Sequence, residues 1–196
     1  MHRSGSSPRL SLLMLLAGLA ACGGGGDAPA PSPSQSPPPA PTPAPANAVA
    51  STCGLPDFAA AALARINQWR ASGATCGTRG AFAPAPALAW NPLLTQAAER
   101  HSQDMAGHDL FSHTGSDGST LGVRVSATGY AWSSLGENIA AGQRSVASVV
   151  DGWIASEGHC VNLLNPAYRE FGLSCVSGSA ADTYPTYWTL DLGQPR

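Results

Sequence analysis

The stretch that most limits what this chain can fold into is one that cannot fold. Residues 23–52 are dominated by Gly, Pro, Ala and Ser, carry one charge at Asp27, and hold no aromatic side chain. Too little apolar surface is present to offset the entropy of ordering, so the composition predicts an extended, solvated tether. The Gly23–Gly26 run is no phosphate-binding loop, because no strand leads into it and no helix follows. A packed core must therefore come from residues 53–196, a span of 144 residues that suits one domain.

Ahead of the tract, Arg3 and Arg9 precede an apolar run, Leu10–Ala21. That run is shorter than the roughly 20 residues a membrane-spanning helix needs, and residues 1–21 read as an export leader. Its end, Leu19-Ala20-Ala21-Cys22, resembles a bacterial lipobox. The resemblance implies that Cys22 becomes the first mature residue and carries acyl chains, which makes the membrane the first partner. Each buried methylene contributes about 0.8 kcal/mol, so several chains hold a protein on a bilayer without a transmembrane helix. Gly23, rather than aspartate, after the acylated cysteine implies outer-membrane placement in a cell with two membranes.

The chain contains no lysine, and without Arg3 and Arg9 eight arginines face twelve carboxylates, a net charge near −4. Nucleic acid is excluded as a partner on that count, since it calls for a basic patch. Besides Cys22 there are four cysteines, Cys53, Cys76, Cys160 and Cys175. An even number in an exported domain argues for disulfides. Three pairings are possible; Cys53–Cys76 with Cys160–Cys175 is favoured, because each pair flanks one predicted supersecondary unit. No C-x-x-C supports a structural metal site.

Apolar spacing then sets the elements. Asp57 is placed to cap a helix whose stripe is Phe58, Ala62, Ile66 and Trp69, with Gly73 as its stop. Arg70 falls off that stripe and is expected on a solvated face. Asn91 and Pro92 open a second helix with Leu94, Ala97, Ala98, His101 and Met105 on one side. His101 there reads as a core histidine. A Ser/Asp/Gly turn at residues 116–119 precedes a short helix ending at Arg124, and it lacks the acidic ladder of a calcium loop. Phe111–Gly142 presents His113 and then Gly136-Glu137-Asn138 from what read as loops, the places where clefts put their chemistry. Ser145 caps a helix with Val146, Val149, Val150 and Trp153, which Gly158 is expected to end, leaving Glu157 and His159 at its C-terminus. Two strands, 170–176 and 184–192, close the chain as an antiparallel hairpin. Helices with few, late strands predict an α+β fold with helices packed on an antiparallel sheet.

Seven motifs occur in one order: Asn67-x-x-Arg70; Leu88-x-Trp90-Asn91; Ala98-x-x-His101-Ser102-x-Asp104-Met105; Phe111-Ser112-His113-x-Gly115; Gly136 through Gly142 as GENIAAG; Trp153-x-x-Ser156-x-Gly158-His159-x-x-Asn162; and Tyr187-Trp188-Thr189. From about residue 57 to the C-terminus the chain resembles the CAP superfamily, the cysteine-rich secretory, antigen 5 and pathogenesis-related proteins, in its bacterial branch. The resemblance implies a three-layer α-β-α sandwich with a broad cleft carrying two histidines and two glutamates. His113 matches the first histidine and Glu137 the first glutamate. Ser156 stands where the second glutamate is expected, with Glu157 one residue on. Tyr187 stands where the second histidine is expected, and His159 is placed to fill the vacated space.

The implied ligand cleft is thus His113, Glu137, Glu157, His159 and Tyr187. A divalent metal such as zinc would take His113, Glu137 and His159, and Tyr130, Trp132 and Tyr184 join Tyr187 as candidate aromatic lining. The family's associations imply a lipid, sterol or glycan ligand. A hydrolase with Glu137 as base and His113 positioning the substrate is the alternative, although no G-x-S-x-G or H-E-x-x-H occurs. A structural envelope protein is the third reading.

Overall fold

A computed structural model describes residues 51–196. The leader, Cys22 and the tract through residue 50 lie outside the described residues, and Cys53–Arg196 belong to one compact unit. In order come α1 (Phe58–Ser72), β1 (Ala74–Thr75), a 3₁₀ turn (Gly77–Arg79), β2 (Ala81–Phe82), β3 (Ala89–Trp90), α2 (Pro92–Gly107), α3 (Leu121–Ala127), β4 (Trp132–Ala141), α4 (Val146–Ala155), α5 (Glu157–Leu164), β5 (Glu170–Ser177) and β6 (Thr186–Pro195). β1 and β2 form a small hairpin, and the main sheet runs β3-β5-β6-β4. Only the two-residue β3 is parallel to its neighbour.

The result is the α-β-α sandwich. On one face of the sheet, Phe171, Leu173, Trp188, Leu190 and Leu192 pack with α1, α4 and α5 into the apolar core. On the other face lies α2, with α3 beside it. α2 approaches so closely at Gly172 that a Cβ there would strike the backbone of Leu94 and Thr95. This second interface is unusually polar: Ser102, His101, Glu137, Ser174, Thr189 and Asp191 are all buried within it or at its edge.

Local signals placed α2 and α4 well. Asn91 Oδ1 accepts from the amides of Leu93 and Leu94, with Pro92 at the first turn, and Ser145 forms a capping box with Ser148. Four expectations are corrected. Asp57 precedes α1 in a left-handed conformation (φ 49°) and makes no side-chain cap. Glu137 is not on a loop but in the middle of β4, a ten-residue strand paired along its length with β6. α4 ends at Ala155, so Glu157 begins α5 instead of closing α4. Arg70, expected in solvent, is fully buried: its guanidinium donates to the carbonyls of Pro86, Leu163, Asn165 and Tyr168. It therefore fastens three separate loop ends, and burial lowers its pKa to about 10. Asn67 does similar work one turn earlier, exchanging two hydrogen bonds with the backbone of Leu88.

The disulfides are Cys53–Cys175 and Cys76–Cys160, not the chain-local pairs. β3 covers only the start of β5, which leaves the Cys175 end of that edge open. The segment before α1 fills it: Thr52 bridges to Cys175, and backbone bonds join Cys53 to Cys175 and Cys175 to Ser51. Cys76 enters the 3₁₀ turn, which docks on α5 through Thr78 and Glu157 and so reaches Cys160. Each bridge closes a loop on the order of 100 residues, a constraint that removes about 4–5 kcal/mol of unfolded-state entropy. Among the described residues no helix is long and apolar enough to cross a membrane.

Removing the Arg70 guanidinium leaves buried carbonyls without a donor. Arg70→Met is expected to destabilise the protein by about 3–5 kcal/mol, read as a lower denaturation midpoint with unchanged slope. A surface-like loss of under about 0.5 kcal/mol would contradict the assigned role.

Candidate functional site

The loop of residues 108–120 carries His113, and the helix before it pins that loop down. From α2, His101 Nε2 donates to the carbonyl of Ser112 at 2.9 Å, and Asp104 accepts from the amide and hydroxyl of Ser116. From α3, Arg124 donates to the carbonyls of Ser119 and His113 at 2.8 and 3.2 Å. The same guanidinium reaches Glu137 Oε2 at 2.5 Å, and His113 Nδ1 lies 2.7 Å from Glu137 Oε1. His113, Arg124 and Glu137 thus form one unit, built from a loop, a helix and a strand.

Exposure divides their roles. The His113 side chain is 58% exposed, whereas that of Glu137 is 4% exposed. With Nδ1 turned inward, the imidazole offers its Nε2 edge to solvent. Burial opposes ionisation of Glu137, but the hydrogen bond from His113 and the charge of Arg124 outweigh it and hold the carboxyl below its usual range. Both its oxygens are occupied. His101 stands 4.0 Å from Oε2, and burial holds its pKa down.

Asp191 lies directly opposite Glu137 in the β4–β6 ladder, fully buried, and neither carboxylate oxygen has a hydrogen-bond donor. Burial and the neighbouring Glu137 push its pKa well up. Kept neutral, Asp191 places no second negative charge beside Glu137, which suits two carboxyls sharing one guanidinium.

The remaining candidates separate. His159, on α5, bonds Ser156 Oγ through Nδ1 at 3.0 Å, and burial and the nearby His113 lower its pKa. It lines a groove of about 330 Å³ whose other walls include Phe111, Ile139, Trp153 and Tyr184. Asn162 and Asn138 tie α5 to β4 here: Asn162 donates to the Glu137 carbonyl, and Asn138 to that of His159. Glu157 is not in the cleft; it faces the 3₁₀ turn and accepts from Thr78. Tyr187 is fully buried, its hydroxyl donating to Asp109. Tyr130 and Trp132 pack with α2 and α3 away from the groove, leaving Tyr184 as the exposed tyrosine at its rim.

Of the metal set expected from His113, Glu137 and His159, the Glu137 carboxylate is already claimed by Arg124 and His113. Among the described residues no group of three or more His, Cys, Asp or Glu side chains is arranged to hold a metal ion. Two members of the site escaped the sequence reading. Arg124 carried no signal beyond closing a short helix, whereas Asp191 breaks the apolar run of β6 and was visible as an acid where a core residue belongs.

The family model described as "Cysteine-rich secretory protein family", CAP, matches residues 63–192. Among curated proteins, the chain is 37% identical over 87 residues to "Uncharacterized protein YkwD" of Bacillus subtilis (strain 168), covering 44% of this chain and 34% of that one. It is 34% identical over 86 residues to "Uncharacterized membrane protein YlbC" of the same organism, covering 44% and 25%. The chain thus spans about a third or less of these relatives. Among solved structures, it resembles an extracellular protein containing a SCP domain from Bacillus anthracis at 32% identity and TM-score 0.49, covering 56% and 34%. An outer surface protein from Borrelia burgdorferi, 18% identical with TM-score 0.51 and coverage of 57% and 80%, shares the fold.

A buried acid with a raised pKa favours folding while it is protonated, and that contribution is lost as pH climbs from the ordinary carboxylate range through the raised value. Asp191→Asn is neutral at every pH. Its Tm is therefore expected to equal that of the wild type near pH 4 and to exceed it by a margin that widens towards alkaline pH. Thermal unfolding across that range checks this; a pH-independent difference would refute it.

Proposed function

The chain belongs to the cysteine-rich secretory protein family, and on that premise we propose that it is an exported, lipid-anchored binding module. The recognition group is the exposed imidazole of His113. The observation that carries this reading is the state of Glu137: buried, ion-paired to Arg124, and with both oxygens engaged. A carboxylate so held has little basicity left for the hydrolase alternative, which needs a base poised near the working pH. It is well suited to holding one imidazole in one orientation, the preorganisation that reduces the entropic cost of binding.

Export is supported by the leader and by two disulfides, which persist in oxidising compartments. Acylation at Cys22 would fix the chain to the cell envelope, in the outer membrane of a cell that has one. A tether of some 30 residues then keeps the binding face close to envelope molecules and raises their effective concentration. The adjoining groove of about 330 Å³ lies at the small end of ligand sites.

Two outcomes test this. Mass spectrometry of solvent extracts from full-length protein purified from membranes is expected to find a small molecule that His113→Ala has lost, while the variant stays folded with a lowered Tm, because the buried Glu137 Oε1 loses its hydrogen-bond donor. An extract unchanged by the substitution would overturn the role of His113. Cys22→Ser is expected to move the protein from the membrane fraction to the soluble one; retention on the membrane would overturn the anchor.

A further inference from the structure

We infer that Asp109 is a latch that holds the hairpin loop of residues 178–185 against the loop carrying His113, and so keeps the mouth of the groove narrow. The inference goes beyond the binding-module reading and does not depend on which molecule enters. Phe111 and Tyr184 form the rim, one from each loop, both exposed and both lining the groove. Their rings meet, with centroids 5.8 Å apart. An exposed ring pair alone is a weak tie against the entropy of ordering two loops, so the rim needs another fastening.

The backbone at Asp109 would take glycine more readily. α2 ends with the Leu110 amide wrapped back to the Met105 carbonyl at 2.9 Å, and Asp109 fills the left-handed position of that turn at φ 45°. Glycine is the usual occupant there, because a Cβ is strained in the left-handed region. What aspartate adds is its side chain. Oδ1 accepts from the Thr183 amide at 2.8 Å and from the Tyr187 hydroxyl at 2.5 Å, and Oδ2 accepts from the Thr183 hydroxyl at 2.9 Å. These donors lie in the hairpin loop and at the start of β6. Tyr184 sits between them and packs edge-on against Tyr187 at 5.9 Å. One carboxylate thus fixes the chain on both sides of the rim tyrosine.

Tyr187 sets the consequence of letting go. Its side chain is fully buried, so losing Asp109 strands the hydroxyl, and a buried donor left unmade costs more than the bond itself contributes. The hairpin loop relieves that cost by lifting to admit water. Lifting carries Tyr184 away from Phe111 and opens the groove towards His159, which lines it and spends Nδ1 on Ser156, leaving Nε2 to react.

The test compares the full-length protein with its Asp109→Ala, Asp109→Gly and Asp109→Asn variants. Hydrogen–deuterium exchange and carbethoxylation of His159 by diethyl pyrocarbonate are both read by mass spectrometry. Asp109→Ala and Asp109→Gly are expected to speed exchange across residues 178–186 roughly tenfold and to speed His159 labelling, with α4 and β4 unchanged. Glycine suits the backbone, so agreement between these two variants assigns the effect to the lost bonds and not to strain. Asp109→Asn keeps an oxygen for the Thr183 amide and the Tyr187 hydroxyl and tolerates the left-handed turn, so it is expected to restore both readouts. Unchanged exchange in residues 178–186 overturns the latch. Faster exchange with unchanged His159 labelling overturns its control of the groove. Exchange that rises throughout the domain, or that Asp109→Asn leaves raised, marks a contribution to folding alone and overturns the latch as well. None of these outcomes touches the roles of His113 or Cys22.

Discussion

Arg124 and Glu137 meet where charge is tolerated least, at the edge of a helix–sheet interface with almost no solvent contact. A buried pair of this kind gains little over apolar packing, but losing one partner strands the other at a cost of about 3–5 kcal/mol. The surroundings are arranged accordingly. Glu137 receives His113 as well as Arg124, while the two terminal nitrogens of Arg124 also donate to the Ser119 and His113 backbone. The position of the surface imidazole is therefore fixed by a charge balance beneath it, and a mobile-looking loop inherits the rigidity of the interior.

The sheet has two chemical faces. Beneath α1, α4 and α5 it is apolar and closely packed; beneath α2 it presents Ser174, Thr189, Asp191 and Glu137. α2 answers in kind, Ser102 bonding Thr189 and His101 and Asp104 reaching over to the loop. One side of the domain holds the fold and the other holds the site. This division also explains why so many of the motif residues never touch the groove: Asn67, Arg70, Asn91, His101 and Asp104 are spent on backbone atoms.

What the sequence revealed followed from local rules. Caps at Asn91 and Ser145 and the apolar stripes of α2 and α4 need only neighbours a turn away, and they were legible. The pairing of His113 with Glu137 was legible through resemblance, since no short-range pattern joins residues 24 positions apart. Misreadings fell where distant contacts overrule local preference. β4 reads WSSLGENIAA, poor in branched residues and buried on both faces, so it shows no alternation. Arg70 looked solvated because its carbonyl partners lie 16 to 98 positions away. Cysteine spacing carries no information on pairing; one bridge depended on where β3 stops and the other on the turn that docks on α5.

One of those bridges bears on how the domain carries load. The chain enters the domain beside Cys53, which is bonded to Cys175 in β5. If the chain is held from its N-terminal side, as proposed above, tension on the domain would bypass α1 and enter the sheet at β5. There it would be resisted as shear across the β5–β6 and β6–β4 ladders, the direction in which hydrogen bonds share strain instead of parting one by one. The clasp at Cys53 makes the central sheet, and not the helix next along the chain, the mechanical root of the domain.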